Sequence, residues 1–284
     1  AGWCNIARVF VQTDDEMTPI SRITLMGTSG VGKTTLATML ASAGWFHYSG
    51  DYRIATRYLN EPISDWLTEL ARREPTLASL LRDDAVSVQG KVSIERLHIL
   101  SAYIGKLGRD GYDATTFIER QHLFRAAEQA AMQDVPAFIE RAERLYGYKA
   151  FINDAGGSIC ELDDPAMFQT LAAHTCYIYI DTDEAHYAEL EARAIAYPKP
   201  ICYHPHFLQQ MIGEYGLMKG GLTPDRFESD DFIRYVTPRM MAHRRERYRE
   251  LIAQYGGIIL NARDIWQLRD AADFHDLLNA AQRN

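Results

Sequence analysis

The chain has 284 residues, 47% hydrophobic and 24% charged, a composition that supports a large buried core and excludes a wholly disordered or peptide-sized protein. Its 30 basic against 38 acidic residues leave a formal charge of −8, which excludes a protein that coats nucleic acid through net positive charge. The four cysteines, Cys4, Cys160, Cys176 and Cys202, form no CxxC pair, and no apolar run approaches the length that crosses a bilayer, so no membrane role and a cytoplasmic setting are expected.

Residues 1–16 lack turn and cap punctuation and carry no secretory pattern; the expectation is that they are an extension, non-native or flexible, and that Met17 is the natural start. Ile23, Leu25 and Met26 then form a short apolar strand that runs into GTSGVGKTT and a helical stretch, LATMLASAG. A second strand is expected near Trp45 to Tyr48, with Gly50-Asp51 as the turn at its end. Residues 52–147 read as helices only. Ile63, Trp66, Leu67, Leu70 and Ala71 recur at helical spacing, and Leu97, Leu100, Ile104 and Leu107 do so before Gly108, a C-cap residue type. Thr116 and Glu119 make a capping-box pattern for a third helix, and Phe138, Ile139, Ala142 and Leu145 mark a fourth that ends near Gly147.

Strand signals return at Lys149 to Asn153, ending in Asp154, at Cys176 to Ile180, ending in Asp181, and at Ile258 to Leu260. Strands separated by helices require crossover connections and predict an α/β protein with a parallel sheet covered on both faces. The core would comprise residues 17–51 and 148–284, with residues 52–147 as a helical insert after the second strand that binds an acceptor or a partner.

Gly27-Thr28-Ser29-Gly30-Val31-Gly32-Lys33-Thr34 satisfies G-x-x-x-x-G-K-[ST] with a strand before it and a helix after it. The glycines let the backbone close around phosphate oxygens, with N–H groups from Gly27 through Thr35 and the positive end of the helix directed inward. Lys33 would reach the β- and γ-phosphates of ATP, and Thr34 would give its hydroxyl to Mg²⁺. The competing reading is a glycine turn that merely starts a helix. A magnesium site also needs a carboxylate at a neighbouring strand end. Asp154 is favoured over Asp181 because a right-handed crossover can return its strand beside the loop-bearing one; either could instead be a turn or N-cap aspartate.

Taken together, GTSGVGKTTLA, Gly50-Asp51 with Arg53, FINDAGG, CYIYIDTDE with its arginine-bearing helix, and the closing RYRELIAQYGGIILNARD resemble the P-loop kinases of small molecules, the group of shikimate, gluconate and nucleotide kinases. The resemblance implies a three-layer P-loop NTPase sandwich and an ATP- and Mg²⁺-dependent phosphotransferase acting on a small hydroxyl-bearing acceptor. It implies that Asp51 orients or deprotonates the acceptor hydroxyl, that Arg53 and Arg57 hold the acceptor, and that a lid cation, Arg193 or Lys199, meets the transferring group. The helical insert matches no member of the group, and the stretch up to Gly221 is longer than the short kinase lid. From the residues alone, Asp51 reads equally as a Gly-Asp turn, and Arg57 as part of a solvated helix face.

Arg239, Arg244, Arg245, Arg247 and Arg249 form a basic run, expected as a solvated helix face and alternatively as a surface for phosphates or a nucleic-acid backbone. That run and the size of the insert motivate a second reading, an ATPase or nucleotide switch with a protein or RNA partner. Asn261-Ala262-Arg263-Asp264 has Arg where a guanine-recognition pattern has Lys, which leaves GTPase identity unsupported. His174, His186, His204 and His206 lack metal-ligand spacing, and Glu161 could either join the site near Asp154 or cap a turn.

Overall fold

The structure, a computed structural model, describes residues 20–283 except 91 and 95; the expectations for residues 1–16 and for Met17 lie outside the described residues. In chain order the elements are β1 (Arg22–Met26), α1 (Lys33–Ser42), β2 (Phe46–Ser49) and α2 (Gly50–Arg53), which continues as a wide π turn over Ile54–Tyr58. There follow α3 (Asn60–Ala71), α4 (Pro75–Arg82), α5 (His98–Ile104), α6 (Ala114–Gln133), α7 (Val135–Tyr146) and β3 (Phe151–Asp154). The remainder comprises α8 (Pro165–His174), β4 (Cys176–Asp181), α9 (Glu184–Ala196), α10 (Pro205–Met218), α11 (Ser229–Tyr255), β5 (Ile258–Asn261), α12 (Ala262–Gln267) and α13 (Ala271–Gln282).

Among the described residues, five strands form one sheet in the order β2-β3-β1-β4-β5, and every neighbouring pair is parallel. The central strands are buried on both faces, which is why β1 and β4 read as nearly continuous apolar runs and not as alternating ones. Polar residues in this interior satisfy one another: the Thr24 and Thr175 hydroxyls lie 2.8 Å apart, and Asn153 Nδ2 donates to Thr24 Oγ1 at 3.2 Å. Tyr48, on β2, packs on Phe138 of α7 and donates to the Ala131 carbonyl, tying the insert to the sheet through one aromatic ring.

Several local expectations are corrected. Gly50 and Asp51 are the first residues of α2 and not a turn, because Ser49 Oγ accepts from Tyr52 N and caps a helix there. Helix α5 stops at Gly105, with φ +70, three residues before Gly108. Asp113, not Thr116, caps α6: its carboxylate takes both the Thr116 N–H, at 3.0 Å, and the Thr116 hydroxyl, at 2.8 Å. The described residues between 83 and 97 carry no helix, and Ser93 and Arg96 form an isolated bridge there. Helix α9 is capped by Asp183, which accepts from His186 N at 2.9 Å, so Asp181 is not its cap.

Helices lie on both faces of the sheet, and the buried residues of the insert, Leu100, Tyr103, Ile104 and Phe117 among them, are continuous with those of the sheet. Arg120, nearly buried in α6, stacks on Tyr103 and Tyr112 with its guanidinium carbon 4.6 and 4.0 Å from the ring centres. No helix among the described residues is long and apolar enough to cross a membrane.

Candidate active site

The loop between β1 and α1 closes tightly because Gly30 and Gly32 adopt φ of +94 and +102, a region that side-chain-bearing residues avoid. Space demands glycine here as well. A Cβ on Gly30 would collide with the guanidinium of Arg193, and one on Gly32 would stand 3.0 Å from Trp266 Nε1. Within the loop, Lys33 Nζ donates to the Gly27 and Thr28 carbonyls at 2.6 and 3.1 Å. Burial pushes its ammonium down, and Asp154 and Asp51 oppose that shift.

A cavity of ≈ 360 Å³ lies over the loop, and Lys33, Thr34, Asp51, Asp154, His47 and Trp266 are among the residues around it. Because β3 pairs with β1, Leu25 stands opposite Asp154, and Thr34 Oγ1 donates to Asp154 Oδ2 at 3.4 Å. Asp181 is elsewhere: its carboxylate pairs with Arg245 at 3.0 Å and Arg249 at 2.7 Å and accepts from Thr182 N. His47 Nε2, 3.5 Å from Asp154 Oδ2, is buried and has no hydrogen-bond partner among the described residues.

A parallel sheet in the order β2-β3-β1-β4-β5, with a glycine loop leading from β1 into α1, defines the architecture. The fold is a parallel α/β sandwich with the glycine loop at the end of its central strand. A shikimate kinase from Bacteroides thetaiotaomicron is similar at 15% identity over 93% of this chain and 97% of its own, with a TM-score of 0.40. A gluconokinase from Sinorhizobium meliloti 1021 is similar at 11% identity over 81% of this chain and 97% of its own, with a TM-score of 0.25. No protein-family model and no curated protein matches the chain.

Asp51 lies at the start of α2, and burial, with Asp154 nearby, pushes its carboxyl up to about 6 against the pull of Lys33. A second carboxyl approaches from the insert. A Cβ on Gly156 would stand 2.5 Å from Glu128 Oε1 and 3.0 Å from Asp51 Oδ1, so the two acids face the same glycine. Glu128 is fully buried in α6; Ser158 Oγ donates to its Oε2 at 2.7 Å, while Oε1 has no partner among the described residues. Burial pushes its carboxyl up to about 8, which keeps it protonated at neutral pH.

The expected acceptor-binding arginines are not brought to the cavity. Arg53 Nε donates to Asp134 at 2.7 Å, and its guanidinium lies over Phe138, because α2 turns that side chain toward the insert; Arg57 is exposed on the following turn. The arginine run is a solvated face only in part, with Arg239 and Arg249 exposed. Arg244 is buried against Glu161, Arg245 binds Asp181 and Glu184, Arg247 binds Asp163, and Arg249 binds Asp181. Glu161 is thus neither a cavity residue nor a turn cap. Burial alone would raise its carboxyl, but Arg244, with His243 beside it, holds it down at about 2.

His204 Nε2 pairs with Asp163 at 2.7 Å, and no group of three metal-ligating side chains occurs among the described residues. Asn261 Oδ1 accepts from Arg263 N and caps α12, while Arg263 pairs with Asp183, which accounts for the Asn-Ala-Arg-Asp sequence structurally. His47, Trp266 and Glu128 were not anticipated. Glu128 sits in a polar helical stretch where nothing marks it as buried. Trp266 had one weak signal, its place in the short segment that follows the last strand.

Proposed function

We propose that this protein is a phosphotransferase that uses ATP with Mg²⁺ and passes the terminal phosphoryl group to a hydroxyl of a small acceptor. The observation that supports this reading is the convergence of Lys33, Thr34, Asp51 and Asp154 on one cavity over the glycine loop. Thr34 and Asp154 offer two hard oxygen donors 3.4 Å apart, a donor set that suits Mg²⁺ completed by water. The bound cation would neutralise charge on the phosphate oxygens. The backbone from Gly27 to Thr35, including Thr28, Ser29, Gly30, Val31 and Gly32, wraps the phosphates, and Lys33 holds the terminal pair.

In this reading Asp51 orients the acceptor hydroxyl and takes its proton. Burial raises its carboxyl to about 6, so it is ionised at neutral pH while being more basic than an exposed aspartate. Arg193, packed on Gly30 at the mouth of the loop, stabilises charge that spreads onto the transferring group. Arg53, held by Asp134, leaves acceptor recognition to other residues. The nucleotide-switch reading with a protein or RNA partner loses one of its two motivations, since four arginines of the basic run are held in ion pairs, and keeps the other, the size of the insert. With the kinase reading goes the cytoplasmic setting expected from the sequence.

The test is Mg-ATP turnover by the purified protein, alone and with pooled small metabolites, with Lys33→Ala as the blank. Stimulation accompanied by a phosphorylated metabolite is expected. Slow turnover that no metabolite accelerates, while ATP still binds tightly, would replace the kinase with the switch.

A further inference from the structure

The two carbonyls that hold Lys33 have different surroundings. The ammonium carries three N–H groups, and two of them go to Gly27 and Thr28, at 2.6 and 3.1 Å. When two N–H groups serve a pair of phosphates, at most one is left for the loop, so at least one carbonyl is given up as a nucleotide enters. Thr28 is half-buried and a cavity of ≈ 450 Å³ opens beside it, so water has access to its carbonyl. Gly27 is buried, and a carbonyl abandoned there is left unpaired unless the protein supplies another donor.

Such a donor is present. Tyr248, fully buried on α11, places its hydroxyl 3.0 Å from the Gly157 carbonyl and 3.4 Å from the Gly27 carbonyl. The two glycine segments adjoin here, since a Cβ on Gly157 would lie 3.8 Å from the Gly27 oxygen and 3.7 Å from Ser29 N. The tyrosine ring is fixed by stacking on Tyr179 of β4, the strand paired with β1, at 4.9 Å between centres. A hydroxyl turns its one proton about the C–O bond, so the donor can pass from one carbonyl to the other while the ring stays in place. Burial pushes this hydroxyl well above the usual tyrosine range, which keeps the proton on it. Burial also pushes the neighbouring Cys160 thiol up to about 12, so no thiolate draws that proton away.

The hydrogen bonds balance in both arrangements. With Lys33 on the loop, its ammonium satisfies Gly27, while Tyr248 and Arg244 Nη1, each at 3.0 Å, share the Gly157 carbonyl. With Lys33 on phosphate, Tyr248 takes Gly27 and Arg244 alone serves Gly157. Neither arrangement leaves a buried carbonyl unpaired.

We propose that Tyr248 is a positioning residue for nucleotide binding: its hydroxyl passes from the Gly157 carbonyl to the Gly27 carbonyl as Lys33 leaves the loop for the terminal phosphates. The inference rests on the nucleotide-binding part of the proposed function and adds to it a donor 221 residues along the chain from the glycine it serves.

Tyr248→Phe removes the donor and keeps the stacked ring. Binding of a non-hydrolysable ATP analogue with Mg²⁺ is read by calorimetry for the parent, Tyr248→Phe, Lys33→Ala and the double variant, with a thermal melt of each. Tyr248→Phe is expected to bind about tenfold more weakly than the parent, the scale of one buried carbonyl left unpaired. In the Lys33→Ala background the same change is expected to leave affinity unaltered, because Gly27 then depends on Tyr248 equally with and without nucleotide. An equal loss in both backgrounds, or failure of Tyr248→Phe to fold, would overturn the proposal by making the hydroxyl a part of the fold alone. Lys33-dependent binding that is unchanged in Tyr248→Phe would overturn it too, by showing that the lysine gives up only Thr28, and would leave the nucleotide reading standing. A parent that binds no analogue, or binds it equally well after Lys33→Ala, would overturn both.

Discussion

Arg244 and Glu161, 83 residues apart in sequence, form a buried ion pair at 2.7 Å. The guanidinium also takes the carbonyls of Gly157 and Cys202, so one side chain of α11 joins the segment after β3 to the segment before α10. Tyr248, one turn further along α11, donates to the Gly157 carbonyl at 3.0 Å and stacks on Tyr179 of β4.

Glu161→Ala leaves the Arg244 charge buried without its counter-ion, a change that costs roughly 3–5 kcal/mol. Urea denaturation is expected to show that loss, and a paired replacement, Glu161→Leu with Arg244→Met, is expected to be less harmful than either single change. The pair also gives a pH signature. The Glu161 carboxyl is lower in the folded protein than in the unfolded chain, so its stabilisation is complete above the ordinary carboxylate range and disappears as pH falls toward about 2.

Lys33→Ala is expected to weaken nucleotide binding by about tenfold or more without unfolding the protein, because its ammonium meets only the Gly27 and Thr28 carbonyls and the open cavity. Calorimetric titration with Mg-ATP, alongside a thermal melt, checks both halves. Unchanged affinity would remove the glycine loop from nucleotide binding.

Asp51→Asn is expected to retain ATP affinity and lose at least about a hundredfold in transfer to an acceptor, the scale of a positioned general base. In the parent the group works only when ionised, so kcat/KM should rise with pH through about 6 and then level off. Equal turnover in variant and parent would make Asp51 structural.

Glu128→Gln tests the second carboxyl. In the folded protein this acid stays protonated up to about 8, whereas in the unfolded chain it ionises in the ordinary carboxylate range. The proton-linked stabilisation of the parent is therefore fully present below that range and is lost as pH rises through about 8. Glutamine does not titrate, so the stability of Glu128→Gln relative to the parent should increase from pH 5 to pH 9, by on the order of a few kcal/mol. A difference independent of pH would show that Glu128 is ionised throughout.

The glycine loop was legible because its chemistry is local. Strand, loop and helix follow one another without interruption from Arg22 to Ser42, and the conformations that the loop needs are written as glycines. The five strand positions were legible for a similar reason, since strands buried on both faces appear as apolar runs. The cap error at Thr116 came from choosing among polar residues a few positions apart, a choice that depends on which side chain meets the free N–H groups.

What the sequence alone determined is thus the parallel α/β core, the glycine loop between its first strand and helix, and the place of Asp154 at a strand end, all properties of contiguous segments. Tertiary structure decided the rest. Arg53 and the arginine run offer the same charge whether they face a ligand or a carboxylate, and only the folded chain brings Asp134, Asp163, Asp181 and Glu161 to them. Glu128 looks like any helical glutamate until α6 packs it beside Gly156, where removal from water changes its proton affinity. Ionisation and pairing depend on distance and solvent exposure, and for residues far apart in the chain both are set by packing.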